Sequence, residues 1–361
     1  MRVVSSYDPQ DVTFLLKDIT AAKLEKSNEA REQAIQSGTH YSEMLPIEYH
    51  PSEAYWTLYE QSLARYKKDV AVAVGVVAEL LLQEKGNDLT LVSLVRAGTP
   101  IGILIKRYLQ QKEVHVAHYS ISIIRGKGID TNALQYILQH HADKSLVFVD
   151  GWTGKGAITQ QLREAIAAFN RVHGTAISDE LAVLADPAEC ATYYGTRKDF
   201  LIPSSCLNSV VSGLVSRSVL NDELIGPHDF HGAKVYHELA DQDVSVNYIE
   251  TIVKQFDQVQ DATAHQLAAI LQSERAITWA GMQDIKNIQR TFGIEDHHLV
   301  KPGVGETTRV LLRRVPWKIL VKDLQDESLA HIFQLAEERG VQVEQYDAMN
   351  YACCGIIRPL V

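Results

Sequence analysis

Short apolar runs alternate with helix-length amphipathic stretches through the middle of the chain. Leu89 to Val95, Val114 to Ile124, Leu146 to Val149 and Leu181 to Ala185 are apolar and of strand length, each closed by polar or glycine-rich residues. Between them Ile101 to Gln110, Asn132 to His141 and Ala157 to about Phe169 carry apolar residues at helical spacing. Strands alternating with helices of this length predict βαβ units and an α/β fold, a mostly parallel sheet flanked by helices. Upstream, the spacing predicts a helix over Asp11 to Leu24, a polar and mobile stretch from Glu25 to Gly38, and a loop around His40 to Pro46. A long helix follows from Glu53 to about Gln83, broken at Gly86-Asn87-Asp88. Downstream, Tyr193 to Asp222 reads as loops and short helical turns, and His231 to Phe256 and Gln266 to Gly281 read as helices.

The character changes near residue 275. Val310 to Leu312 and Lys318 to Val321 read as short strands, Gly303 to Thr308 as a flexible segment, Ser328 to Arg339 as a helix stopped by Gly340, and Val341 to Val343 as the start of another strand. Residues 1–270 and 275–361 are therefore expected to form a large and a small α/β domain.

The net charge of −10 argues against wholesale coating of nucleic acid, but it hides a local reversal. Residues 299–322 hold six basic side chains against Glu306 alone, which suggests phosphate contacts by Lys301, Arg309, Arg313, Arg314 and Lys318, with Trp317 or Tyr351 as stacking faces. Four cysteines in 361 residues make no disulfide framework, and a reducing cytoplasm is the expected location. The start of the chain lacks the apolar core of a signal peptide. No run reaches the roughly 20 apolar residues of a membrane span, and Val70 to Leu82 reads instead as a buried helix.

The candidate chemistry centres on Asp150-Gly151-Trp152-Thr153-Gly154-Lys155-Gly156, between a strand and a helix. Glycines let backbone N–H groups approach an anion, and the following helix adds its positive dipole end. A Walker A loop is excluded, because Val149 stands at its first glycine and Gly156 at its hydroxyl position. Arg96-Ala97-Gly98-Thr99-Pro100 makes a second strand-to-helix turn, and Arg125-Gly126-Lys127-Gly128 a basic, flexible one. In open parallel sheets such turns converge at the carboxyl ends of the strands. Cys206 lies in a Ser- and Asn-rich stretch. It would act as a nucleophile only if the fold brought a histidine such as His118, His228 or His231 beside it. The vicinal Cys353-Cys354 lack the partners of a zinc site, and no metal ligands are assigned from the protein.

Three phrases, His118 to Arg125, Phe148 to Gly156 and Pro203 to Ser209, resemble the phosphoribosyltransferase-like proteins of bacterial tellurite-resistance and stress gene clusters, a family also labelled cysteine protease StiP. Lys301 to Arg309 and Asn350 to Gly355 resemble the Pelota-type, L7Ae-like RNA-binding domain that ends those proteins. The resemblance implies a phosphoribosyltransferase-like domain that binds phosphoribosyl pyrophosphate (PRPP) with Mg²⁺ and transfers ribose 5-phosphate to or from a base-like acceptor. It implies that Thr153, Gly154, Lys155 and Gly156 hold the 5-phosphate and Asp150 the ribose. Arg96, Ala97, Gly98 and Thr99 would hold pyrophosphate, with Arg125 and Lys127 closing over it. Two features depart from the family motif. Gly151 replaces a second acid, and two residues rather than four separate the acid from Thr153. The alternatives are a cysteine hydrolase using Cys206 and a non-catalytic, nucleotide-sensing RNA-binding protein. The implied partners are a nucleotide-like small molecule and RNA, with no membrane; an oligomer is allowed.

Overall fold

The computed structural model describes residues 1–358. Its main sheet has six parallel strands: β1 (Thr13–Phe14), β2 (Thr90–Leu94), β3 (Ala117–Ile121), β4 (Leu146–Val149), β5 (Leu181–Ala185) and β6 (Tyr193–Thr196). Their order is β1-β3-β2-β4-β5-β6. The chain steps outward from β2 to β3, then returns across β2 to β4. The sheet therefore reverses between β2 and β4, and the loops leaving these strands flank a crevice at their carboxyl ends. Asp150 and the Arg96 turn lie there because β2 and β4 pair in register from Thr90↔Leu146 to Ser93↔Val149.

Helices α1 (Asn28–Gln36), α2 (Glu53–Lys85), α3 (Gly98–Gln111), α4 (Thr131–Leu138) and α5 (Ala157–His173) are followed by α6 (Ser245–Val253) and α7 (Gln260–Gln272). The apolar run in α2 is buried on nearly every side, from Val70 to Leu81, because it packs between the sheet and α7. Gly75 permits this approach: a Cβ there would lie 2.8 Å from Thr263. Phe148 on β4 is wholly buried, and a side chain of that size contributes about 1.5–3 kcal/mol by leaving water.

The small domain is a second sheet, order β7-β10-β8-β9, built from β7 (Val300–Pro302), β8 (Pro316–Val321), β9 (Gln342–Gln345) and β10 (Cys353–Ile357). It carries α8 (Ala280–Phe292), α9 (Val304–Arg313) and α10 (Ala330–Glu338). β8 and β9 are parallel, while β10 runs antiparallel to β7 and β8.

Several local expectations are overturned. Asp11 to Leu24 is not a helix: Thr13–Phe14 joins the sheet edge beside β3, and Lys17–Asp18 pairs with Gly232–Ala233, so long-range pairing overrides the local spacing. The expected mobile stretch holds α1. Within His231 to Phe256 the chain forms a 3-10 helix at His237–Gln242 and then α6, after a non-helical start, and Gln266 to Gly281 is split by the non-helical residues 273–279. Val310 to Leu312 and the supposed flexible segment Gly303 to Thr308 both fall at or in α9, whose Val304, Thr307, Thr308 and Leu311 turn inward at helical spacing. β6, β7 and β10 were not expected. No described helix is long and apolar enough to cross a membrane.

Candidate functional site

The β4 ladder continues past Val149 along β5. Asp150 N–H donates to Ala182 O at 2.9 Å, Leu184 N–H to Gly151 O at 3.0 Å, and Thr153 N–H to Ala185 O at 3.0 Å. The part of the loop outside the ladder is thereby cut to Gly154, Lys155 and Gly156. The Thr153 hydroxyl is occupied by structure: it donates to Asp186 Oδ1 at 2.7 Å and accepts from Ala188 N–H at 3.2 Å. Asp186 also accepts from the N–H groups of Cys190 and Ala191 and pairs with Arg197 at 3.2 Å. Thr153 is thus an anchor for the loop, not an open phosphate ligand, and the Gly151 N–H is taken by Asp150 Oδ1 at 2.8 Å.

Beyond this anchor lies a cavity of about 300 Å³. Asp150, Trp152 and Gly154 to Thr159 form its floor, Ala97 and Arg125 reach its edge, and His298, Lys301 and Glu306 of the small domain cover it. Gly156 caps α5 in the left-handed region (φ 83°) with no side-chain hydrogen bond, so the first-turn N–H groups of α5 are left for the cavity. Burial raises the Asp150 carboxyl to about 7 against only the Gly151 N–H, with no cation paired to it among the described residues. Burial, then Lys301, brings the Lys155 ammonium down to about 8. An acid held near neutrality beside a weakened lysine and open N–H donors is suited to a sugar phosphate.

The small domain holds the loop at three points. Trp279 packs on Gly156, where a Cβ would come within 2.9 Å of its ring. The Tyr351 hydroxyl donates to Gly154 O at 2.7 Å, and Lys155 Nζ donates to His297 O. A fourth contact lies nearby: Asp199 accepts the Val304 N–H at the start of α9 (3.0 Å) and the Ala352 N–H (2.9 Å). Burial raises Asp199 to about 6. Sequence reasoning singled out neither Asp199 nor Trp279; only the invasion of α8 by the long Gln266 to Gly281 reading touched the region.

The other expected site residues are dispersed. The Val95–Arg96 peptide is cis, and the Arg96 guanidinium turns away from the loop into a second cavity, meeting Asn208 Oδ1 at 3.4 Å and Glu48 at 3.9 Å. Gly98 is packed against β4, where a Cβ would sit 2.2 Å from Val149 O, and the Thr99 hydroxyl is bonded to Ser120 at 2.7 Å. Only Ala97 of that turn lines the first cavity. Lys127 is exposed in the turn of a hairpin (Ile123–Ile124 with Gly128–Ile129) and lines neither cavity.

The basic cluster does not form one outward face. Arg309 donates to Ser205 O, pairs with Glu306 at 2.9 Å and stands over Trp152. Arg313 lies over Tyr55 of the large domain, Lys301 covers the first cavity, and Lys318 pairs with Glu344 at 2.5 Å. Tyr351 is fully buried and offers no stacking face, whereas Trp317 is 36% exposed beside Arg314 and Arg339.

Cys206 is buried, and burial pushes its thiol up to about 11. Its polar neighbour is Ser62 Oγ at 3.7 Å. His118 is held by Ser93 and Asp11 O, and His231 by Ser122; among the described residues no histidine hydrogen-bonds Cys206. The other three thiols are buried and raised too.

These features define a two-domain α/β protein with an acid- and glycine-bearing loop at the reversal of a parallel sheet, covered by a small second domain. The family described as tellurite-like stress resistance cysteine protease StiP matches residues 5–253, and the PELOTA RNA binding domain matches residues 279–359. "Cysteine protease StiP" of Acinetobacter baylyi is 34% identical over 372 residues, covering 96% of this chain and 93% of that one. The chain belongs to the StiP family and carries a Pelota RNA-binding domain. Solved structures similar to it include a hypoxanthine phosphoribosyltransferase of Trypanosoma cruzi (14% identity, 36% of this chain and 77% of that one, TM-score 0.29). Another is an HGPRT-ase of Leishmania tarentolae in complex with GMP (14% identity, 37% and 79% covered, TM-score 0.28). Likeness at this level says nothing of chemistry.

Proposed function

We propose that the cavity at Asp150 binds a ribose 5-phosphate group, presented by PRPP or a nucleotide, and that the small domain senses its occupancy. The observation that carries this reading is the pairing of an uncompensated Asp150 with the Gly154-Lys155-Gly156 loop, under a roof made by the second domain. The loop N–H groups and Lys155 would take the phosphate, and Asp150 the ribose hydroxyls. Asp150 keeps one oxygen unused by Gly151, and Glu306 faces the same cavity, so the hard oxygen donors fit Mg²⁺ held jointly with a ligand's phosphates. When bound, Mg²⁺ would offset the charge of a pyrophosphate group.

Three contacts tie the loop to Trp279, Tyr351 and His297, so a ligand that moves the loop must also move the RNA-binding domain. RNA affinity would then depend on the ligand. Phosphoribosyl transfer is the chemistry such a ligand allows, with an acid near neutrality at the ribose and Arg125, Lys155 and Lys301 around the charged groups. Release of pyrophosphate from PRPP with a purine or pyrimidine acceptor would identify it. A hydrolase reading needs Cys206 to gain a histidine partner.

Trp152 lines the cavity and reports on it. PRPP with Mg²⁺ should change its fluorescence with saturation, and the change should weaken at least tenfold in Lys155→Met. Identical titration curves for the two proteins would refute the assignment.

A further inference from the structure

The second cavity, about 670 Å³, is lined by Arg31, Arg96, Arg217, Arg309, Arg313 and Arg314 against one carboxylate, Glu48. No residue lines both this cavity and the one at Asp150. We propose that it is a separate site for a chain of phosphates, either a free di- or triphosphate or the 5′-triphosphate end of an RNA.

The arginines come from distant parts of the chain. Arg96 leaves β2, Arg217 follows a buried irregular stretch, and Arg309, Arg313 and Arg314 lie on or just past α9 of the small domain. Such a concentration of one charge in a protein of net charge −10 is self-repelling, and a bound anion would relieve it. Glu48 is the carboxylate among the described lining residues, and it is largely engaged elsewhere. Glu48 Oε1 is engaged by the Ser209 N–H and hydroxyl at 3.1 and 2.8 Å and reaches Arg96 only at 3.9 Å. Glu306 pairs with Arg309 but lines the other cavity. Burial and then the neighbouring Arg31 and Arg96 hold the Arg217 guanidinium down to about 10.

Contacts with the rest of the fold hold Arg217, Arg309 and Arg313 in place. Arg217 Nη2 donates to Tyr41 O and Met44 O at 2.8 and 2.9 Å, while its buried Nε has no hydrogen-bond partner among the described residues. Arg313 is stacked at 4.5 Å on Tyr55. Guanidinium forks match phosphate oxygens in pairs, and a cluster of this size exceeds what a single phosphate can engage. The volume lies within the roughly 300–1,000 Å³ of small-molecule sites. Arg314 also borders the outer groove of Trp317, Arg339 and Arg358, so an RNA whose 5′ end entered the cavity would leave across an aromatic, basic surface.

The test is titration calorimetry of the full chain with inorganic tripolyphosphate at 0.15 M salt. Saturable binding that depends on the arginines is expected. It should weaken at least tenfold in Arg313→Gln/Arg314→Gln and in Arg96→Gln, each checked for folding by circular dichroism, and change less than twofold in Lys155→Met. A second arm separates the sources. Tenfold tighter binding of a 5′-triphosphorylated RNA than of ATP indicates an RNA end, and equal binding of the two indicates a free nucleotide. Absence of tripolyphosphate binding to the wild type overturns the proposal. So does binding that Lys155→Met abolishes and the folded arginine variants retain.

Discussion

Replacing Asp150 by Asn should stabilise the folded chain while weakening its ligand. Asn keeps the shape and the Oδ1 that accepts the Gly151 N–H at 2.8 Å, so the change removes charge and little else. Burial lifts the folded carboxyl from 3.8 to about 7. At about 1.36 kcal/mol per unit, the full ionisation penalty is about 4 kcal/mol, which access of cavity water to a half-buried side chain reduces to about 1–3 kcal/mol. The sign follows from linkage. A carboxyl raised on folding binds more protons folded than unfolded between about pH 4 and 7, so the wild type loses stability as pH rises through that window. Urea unfolding at pH 4 should therefore give nearly equal stabilities for wild type and Asp150→Asn. At pH 8 the variant should be more stable by about 1–3 kcal/mol, shown by a higher midpoint at unchanged slope. A variant less stable at pH 8, or a difference that ignores pH, would refute the claim that Asp150 is an uncompensated charge held for a ligand.

Other outcomes follow from the same geometry. With the Cys206 thiol pushed up to about 11, about one molecule in 3,000 carries the thiolate at pH 7.5, so iodoacetamide should label Cys206 only after unfolding. Labelling of the native chain at the rate of a free thiol would instead support a reactive nucleophile. Asp199→Ala leaves the Val304 and Ala352 N–H groups without their acceptor, which costs about 1–3 kcal/mol. It should also speed proteolysis within residues 273–279, and cleavage no faster than in wild type would count against Asp199 as a link between the domains. Gly156→Ala imposes a side chain at φ 83° against Trp279 and should lower ligand affinity at least tenfold; a titration showing wild-type affinity would contradict that contact.

The main sheet was legible because β2, β4 and β5 are buried on both faces and read as continuous apolar runs. The two-residue β1 was not, since its identity as a strand rests on pairing with β3 about a hundred residues away. α9 stands where the sequence suggests a flexible segment over Gly303 to Thr308 and a strand over Val310 to Leu312, although its inward positions follow helical spacing. Asp150 and its loop could be found from the strand-acid-glycine pattern. What the sequence hid was partnership. Thr153 looks like a phosphate ligand until Asp186 claims its hydroxyl, and the basic residues of α9 look like an outer RNA face until the fold turns Arg309 and Arg313 toward the large domain. Such facts depend on which elements meet, and no local pattern encodes them.

The most direct measurement is a calorimetric titration of the full chain with PRPP and Mg²⁺, repeated on Asp150→Asn. Saturable heat in the wild type, with affinity at least tenfold lower in the variant, is the expected result. No heat in the wild type, or equal affinity in both, would contradict a phosphoribosyl site at Asp150.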